Sequence, residues 1–98
     1  VQYGHTLVVP KIEVDKIFDV PNEYLGNLLL FAKPIAHAIE KAFNCNRVNI
    51  ITVGLEVPHA HVHLLATYTM YDVDLSKPKL KLSASELKET QEKILAHL

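Results

Sequence analysis

Residues 59–65 read HAHVHLL, and this stretch decides both the fold and the chemistry of the 98-residue chain. Its three histidines alternate with apolar residues. In a β-strand successive side chains point to opposite faces, so residues two apart share a side. His59, His61 and His63 would therefore line one face at spacings of roughly 6 to 7 Å. The stretch predicts a strand with one apolar side and one side of groups that titrate near neutrality.

Composition and charge narrow the class of protein. Hydrophobic residues make up 49% of the chain and charged residues 21%, which is typical of one soluble globular domain. The formal net charge is −1, so the chain lacks the broad basic field that holds nucleic acid or an anionic membrane. We therefore expect no nucleic acid and no membrane among its partners. A bound phosphate would have to be held by local geometry.

Cysteine usage and the chain start bear on the compartment. Cys45 is the single cysteine, which excludes an intrachain disulfide and argues against a cysteine-rich zinc module. No signal peptide opens the sequence, and no apolar run reaches transmembrane length. We expect a cytoplasmic protein. The sequence begins with valine and enters a strand-like run almost at once, so we expect further residues of the domain upstream.

Apolar periodicity predicts the elements that precede the histidines. Residues 6–10 and 47–53 are short, β-branched runs that predict strands. Between them, apolar residues at spacings of three and four predict a long amphipathic helix; they are Leu25, Leu28, Leu29, Ala32, Ile35, Ala36, Ile39 and Phe43. Pro34 should kink this helix or split it in two. Residues 12–18 suit a single helical turn.

Turn and cap signals complete the predicted topology. Gly54 and Pro58 bound a short connection to the histidine strand, residues 59–68, and so short a connection favours antiparallel pairing. Ser83 with Glu86 fits a capping box before a terminal helix. Because we find no internal repeat or linker, residues 1–98 are expected to form one α+β domain with an antiparallel sheet.

Three histidines on one side of a strand allow three interpretations. The first is a polar, solvent-facing strand. The second is a metal-dependent hydrolase, in which zinc takes two of these histidines and His5, because three consecutive positions on one strand are nearly collinear. The third is nucleophilic catalysis, in which one imidazole attacks phosphorus while its neighbours donate hydrogen bonds to the phosphate oxygens and the leaving group. This last chemistry uses all three residues and needs no ion.

The same stretch resembles a family signature. HAHVHLL matches the pattern His-φ-His-φ-His-φ-φ of the histidine-triad superfamily, where φ is an apolar residue. Upstream, residues 4–11 read GHTLVVPK and are similar to that family's strand of the form Gly-His-x-Leu-Val-φ-Pro-Lys. Helix, strand, turn and histidine strand follow in the family's order, so the resemblance runs from about Gly4 to Leu65.

The resemblance implies a fold and an activity. The fold is an antiparallel sheet of about five strands with a long helix and a C-terminal helix, paired as a homodimer through the long helix and an adjoining strand. The activity is that of a nucleotide phosphoramidase or hydrolase. It would release or transfer a nucleoside monophosphate from a phosphoramidate, an adenylate or a dinucleoside polyphosphate. We accordingly expect a purine nucleotide as substrate and no cofactor or obligatory metal.

The resemblance also implies roles for four histidines. His61, the middle residue of the triad, would be the nucleophile that forms a covalent nucleotidyl-imidazole intermediate. His63 would contact phosphate or leaving-group oxygens, and His59 would help to orient the nucleophile and the phosphate. His5 matches a fourth histidine that often supports the triad.

The chain departs from the family pattern just before the triad. Residues 52–58 are shorter than the usual glycine-rich stretch, and Glu56 stands where a serine or threonine is common. Thr52 and Glu56 are our candidates for contact with phosphate; a carboxylate there must be protonated or paired with a charged histidine. Besides the covalent enzyme and the metal-dependent hydrolase, we therefore consider a nucleotide-binding dimer that has lost turnover through this loop. Further candidates for closing the pocket follow the histidine strand: Tyr68, Tyr71, Asp72 and Asp74.

Overall fold

The strand that carries the histidines is the central strand of the sheet. The computed structural model describes residues 4–55, 57–69, 72 and 82–98. Within these residues β1 (Thr6–Val8), β2 (Arg47–Ile51) and β3 (Val62–Thr67) form one sheet in the order β1-β3-β2. Both pairings are antiparallel, which confirms the predicted fold class. The described sheet has three strands, fewer than the five or so that the family resemblance implies.

The long helix, α1 (Asn22–Phe43), runs without interruption through Pro34. Of the two outcomes predicted for this proline, a kink or a split, the split is therefore wrong. Proline cannot donate to the carbonyl four residues earlier, that of Leu30, but both residues are exposed and water can satisfy that carbonyl. The helix ends at Asn44, whose φ of 47° is in the left-handed region that stops an α-helix.

The second helix, α2 (Ala84–Leu95), begins with the predicted capping box. The Ser83 hydroxyl accepts from the backbone N–H of Glu86, and the Glu86 carboxylate accepts from the N–H of Ser83. Ile94 of this helix packs against the core. A single 3-10 turn at Ile17–Asp19 falls at the end of the segment where a helical turn was predicted. Among the described residues, neither α1 nor α2 is long and apolar enough to cross a membrane.

The core lies between the sheet and α1. Its buried members come from both layers: Val8, Leu28, Ala32, Ile39, Cys45, Val62, Leu64 and Ala66. Leu64, at 0% exposure, is the type of side chain whose full burial contributes about 1.5–3 kcal/mol. Ala60, Val62 and Leu64 are buried, whereas the three histidines that alternate with them are half-buried. This confirms the predicted two-sided pattern up to His63; beyond it Leu65 and Thr67 are also buried.

All three strands are shorter than predicted, and the difference matters at the histidines. The predicted histidine strand covers residues 59–68, but β3 begins at Val62, so His59 and His61 precede it. The pairing with both neighbouring strands stops before these two histidines. The last pair with β1 is Val8 with Val62, and the last pair with β2 is Ile51 with His63. The predicted strands at residues 6–10 and 47–53 end earlier for local reasons. Pro10 has no N–H to donate to a neighbouring strand, which limits the first. Gly54 has a φ of 77°, which turns the chain just after the second.

Gly4 fixes the start of β1 against the end of α1. Its φ is 79°, and a Cβ atom built there would lie 2.5 Å from Cε2 of Phe43. The Phe43 ring also has the Lys93 ammonium 5.4 Å from its centroid. His5 follows Gly4 directly and precedes β1. The close approach of the Gly4 backbone to the Phe43 ring therefore also constrains the position of His5.

We expect Gly4→Ala to lower the free energy of unfolding by about 2 kcal/mol or more, from the strained φ and the displaced ring. Gly26→Ala is the matched control. Gly26 lies within α1 and a Cβ there meets nothing within 4 Å, so the same substitution should stabilise the protein by about 0.5–1 kcal/mol. Urea unfolding of both variants measures the difference. Equal effects of the two substitutions would contradict the close packing of Gly4.

Candidate active site

His61 and His63 stand side by side on the same side of the chain. Their ring centroids are 4.9 Å apart and the planes meet at 72°, an edge-to-face arrangement. Both side chains are half-buried, so solvent reaches them. Two imidazoles at this distance can touch the same small group, such as a phosphoryl group, from neighbouring positions.

The hydrogen bond of His61 selects its tautomer. Nδ1 of His61 lies 2.7 Å from the backbone carbonyl oxygen of His59. Since a carbonyl oxygen only accepts, Nδ1 must carry the hydrogen. In the neutral ring the lone pair then lies on Nε2, which makes no hydrogen bond within the described part of the chain. This is the tautomer that attack by Nε2 on phosphorus requires.

His59 acts on this arrangement through its backbone. Its carbonyl holds His61, while its own ring nitrogen Nε2 lies 3.1 Å from the carbonyl oxygen of Pro10 and donates to it. The adjacent N–H of Ala60 donates to the carbonyl oxygen of Val14 at 2.7 Å. The ring of His59 is therefore engaged with the chain segment that follows β1. The predicted role of His59 is to orient His61, and its backbone carbonyl is the group through which it could do so.

His5 lies next to the third triad residue. Nε2 of His5 and Nδ1 of His63 are 2.8 Å apart, and the ring centroids are separated by 5.0 Å. Register explains the contact, because Leu7 of β1 pairs with His63 and His5 lies on the same side two residues earlier. One ring donates and the other accepts. When His5 donates, the hydrogen of a neutral His63 sits on Nε2, where it can be given to a phosphate or leaving-group atom.

Of the two candidates for phosphate contact, Thr52 and Glu56, only Thr52 is among the described residues. The Thr52 hydroxyl donates to the backbone carbonyl oxygen of His61 at 2.7 Å. A hydroxyl has one hydrogen, so donation to a phosphate would require this bond to break. Glu56 lies outside the described residues. Contact of either residue with phosphate stays a prediction.

The candidates for closing the pocket lie elsewhere or are not described. Tyr68 follows the far end of β3, about 16 Å from His63 at the rise of an extended strand. Its hydroxyl donates to the carbonyl oxygen of Phe43, and Asp72 accepts from the N–H groups of Tyr68 and Thr69. Desolvation raises the pKa of Tyr68, with Cys45 and Asp72 acting in the same direction. These residues hold that end of the strand. Tyr71 and Asp74 are outside the described residues.

Three of the contacts at the site could not be predicted from the sequence. The carbonyl oxygens of Pro10 and Val14 and the donation from Thr52 to His61 all involve backbone acceptors. No side-chain pattern marks a backbone carbonyl as a partner. Among residues 4–55, 57–69, 72 and 82–98, no three His, Cys, Asp or Glu side chains are arranged to hold a metal ion.

Solved structures share this arrangement of strands and helices. A hypothetical histidine triad nucleotide-binding protein from Sulfolobus tokodaii matches with a TM-score of 0.82, over 99% of this chain and 70% of that protein, at 22% identity. A histidine triad protein from Marinobacter aquaeolei matches with a TM-score of 0.80, over 97% of this chain and 75% of that protein, at 19% identity. At these identities the likeness defines the fold, that of histidine triad proteins.

The family follows from the sequence itself. The HIT domain family matches residues 1–70, and the chain belongs to it, which confirms the resemblance. It is similar to the asymmetrical bis(5'-nucleosyl)-tetraphosphatase of Schizosaccharomyces pombe, with 33% identity over 67 residues. It is also similar to an adenosine 5'-monophosphoramidase of Saccharomyces cerevisiae, with 35% identity over 63 residues. The matches cover 63% of this chain and only 37% and 40% of those two relatives.

The tautomer of His61 can be measured directly. With ¹⁵N-labelled imidazoles, we expect Nδ1 of the neutral His61 ring to resonate as a protonated nitrogen and Nε2 as an unprotonated one. His97 is exposed near the C-terminal end, and its side chain makes no hydrogen bond within the described part of the chain, so it is the internal reference. A His61 ring with its hydrogen on Nε2 would contradict the bond to the His59 carbonyl.

Proposed function

We propose that the protein is a nucleotide hydrolase or transferase that cleaves a nucleoside monophosphate from a phosphoramidate, an adenylate or a dinucleoside polyphosphate. The observation that carries the proposal is the state of His61. Its Nδ1–H is held by the His59 carbonyl, and its Nε2 is available beside His63. A purine nucleotide is the proposed substrate. No cofactor is required by this chemistry.

Relatives support the substrate class. The two similar proteins named above are a dinucleoside tetraphosphatase and an adenosine monophosphoramidase, and both names describe reactions at a nucleotide phosphorus. Both reactions can proceed through one intermediate, a nucleoside monophosphate bonded to a histidine. Because the matches cover less than half of each relative, the activity and substrate are proposed here for this chain.

The proposed reaction has two displacements at phosphorus. Nε2 of His61 attacks the α-phosphorus of a nucleoside 5'-phosphoramidate, the N–P bond to His61 forms, and the P–N bond to the leaving amine breaks. His63 donates a proton to the departing amine. Water then attacks the same phosphorus, the bond to His61 breaks, and nucleoside monophosphate is released as the water proton returns to His63. Two easier steps replace one difficult displacement.

The neighbours of His61 supply the electrostatics of both steps. A protonated His63 would offset the negative charge that makes a phosphoryl group reluctant toward a nucleophile. His5, 2.8 Å from the inner nitrogen of His63, can share the proton that His63 gives up and regains. When His61 bonds to phosphorus its ring becomes cationic, and the His59 carbonyl at Nδ1 stabilises that charge.

The test is hydrolysis of adenosine 5'-phosphoramidate by the protein and by His61→Ala. We expect the variant to lose at least about a thousandfold in kcat, because no other group can take the place of the nucleophile. Acid-quenched wild type should carry an adenylyl adduct detectable by mass spectrometry, and the variant should not. His97→Ala removes an exposed histidine from the C-terminal end and should keep wild-type activity.

Two outcomes would favour the other hypotheses. If treatment with EDTA abolishes wild-type turnover and zinc restores it, the metal-dependent hydrolase is correct and covalent catalysis is not. If the protein binds adenosine monophosphate, by calorimetry, but shows no turnover, the nucleotide-binding dimer without activity is correct. Turnover that survives EDTA and disappears in His61→Ala supports the covalent mechanism.

We also propose that the protein forms a homodimer through α1. Leu30 and Phe31 lie on the solvent side of this helix and are 69% and 65% exposed, and Leu29 beside them is 48% exposed. Together these three side chains leave an apolar patch around one turn of α1, and exposed apolar surface of this kind marks protein contacts. The same surface on two copies would satisfy a twofold interface.

A charge in this patch should prevent pairing. We expect Phe31→Glu to sediment as a monomer where the wild type sediments as a dimer, because a carboxylate would be buried without a partner. Lys41→Glu changes an exposed charge on the same helix, outside the patch, and should leave the dimer intact. A wild type that sediments as a monomer at micromolar concentration would contradict the dimer. It would leave the proposed chemistry of His61 unaffected.

A further inference from the structure

The backbone at the nucleophile lies beyond the end of the sheet. The last pair between β2 and β3 is Ile51 with His63, and the last pair between β1 and β3 is Val8 with Val62. The segment 59–61 is therefore outside the regular ladder that holds β3 on both sides. Its position depends on individual hydrogen bonds.

Two of these bonds come from the β1 side of the sheet. The carbonyl oxygen of Val14 accepts from the N–H of Ala60 at 2.7 Å, and the carbonyl oxygen of Pro10 accepts from the ring of His59 at 3.1 Å. Neither reaches the peptide group that follows the His61 side chain. On the β2 side, the Thr52 hydroxyl donates to the carbonyl oxygen of His61 at 2.7 Å.

We propose that Thr52 is a positioning residue that clamps the peptide group of His61 and so holds the reactive ring in line with phosphorus. The proposal rests on the proposed function of His61. Thr52 follows the last residue of β2 and its hydroxyl takes over where the ladder stops. With His61 Nδ1 bonded to the His59 carbonyl and its own carbonyl bonded to Thr52, both the ring and the peptide group of the nucleophile are fixed.

The clamp assigns Thr52 a different contribution from a phosphate donor. A group that binds the substrate phosphate equally in the ground state and the transition state changes KM. A group that holds the nucleophile in its attacking position changes kcat, because small displacements of reacting atoms slow the chemical step while substrate still binds. The bond is exposed to solvent, so its loss should have a moderate effect.

The first experiment compares kcat and KM of adenosine 5'-phosphoramidate hydrolysis in Thr52 variants. Thr52→Val keeps the branched shape and removes the donor; we expect kcat to fall about three- to tenfold and KM to stay within about twofold. Thr52→Ser keeps the hydroxyl and should restore at least half of the wild-type kcat. Thr90→Val makes the same substitution on α2 and should leave both constants unchanged.

The second experiment observes the clamp in the free protein. His61 and Val62 form the single His-Val pair in the sequence. Labelling with ¹³C-carbonyl histidine and ¹⁵N valine therefore yields one cross-peak, which reports the His61 carbonyl. In Thr52→Val its carbon resonance should move upfield, as expected when a carbonyl loses a donor, and in Thr52→Ser it should stay near the wild-type position. Thr52→Ala is a second variant without the hydroxyl if Thr52→Val does not fold.

The two experiments separate failure of the clamp from failure of the proposed function. A raised KM with unchanged kcat, or a His61 cross-peak that does not move in Thr52→Val, overturns the clamp while His61 remains the nucleophile. A wild type without turnover overturns the proposed function, and the labelling experiment then decides by itself whether Thr52 holds the His61 carbonyl. A lowered kcat, rescue by serine and a shifted cross-peak together support the proposal.

Discussion

The alternation of side chains along the central strand is the constraint on which the rest of the structure depends. Val62 and Leu64 must face α1 because their burial stabilises the core, and the strand geometry then sends the residues between them to the other side. A one-residue slip would bury His63 and expose Leu64. The hydrophobic core therefore selects the register that brings His63 opposite Leu7 and within reach of His5.

The proposed nucleophile lies just beyond the end of the central strand. A histidine inside the ladder, such as His63, has its backbone fixed by neighbours on both sides. His61 lies just before the ladder, and its ring is held by a carbonyl two residues earlier in the chain. Such a bond determines which nitrogen carries the hydrogen, which a strand alone does not. In residues 59–61 the side chains alternate between two faces as in a strand. Their hydrogen bonds, however, are not those of a strand paired on both sides.

Membership of the HIT domain family and the local geometry support the same chemistry from independent directions. Family membership rests on residues 1–70 and includes the HAHVHLL stretch. The geometry rests on the distances that involve four rings and four backbone carbonyls, none of which enters a sequence comparison. The names of the two relatives describe different nucleotide substrates. Each of the proposed reactions, on a phosphoramidate, an adenylate or a dinucleoside polyphosphate, would use His61 in the same position.

The sequence by itself determined the antiparallel α+β fold, the long helix, the capping box and the side on which the histidines lie. Each depends on a local period or cap that neighbouring residues specify. Tertiary structure decided the rest. Pro34 did not split α1, and both Pro34 and Leu30, the residue whose carbonyl loses its donor, are exposed. The strands ended early where their neighbours left the sheet. The partners of His59, His61 and His63 are a carbonyl of Pro10, a carbonyl of His59 and the ring of His5. Two of these contacts join residues about fifty or more positions apart, and the third depends on how the chain turns into β3, so no local pattern could have specified them.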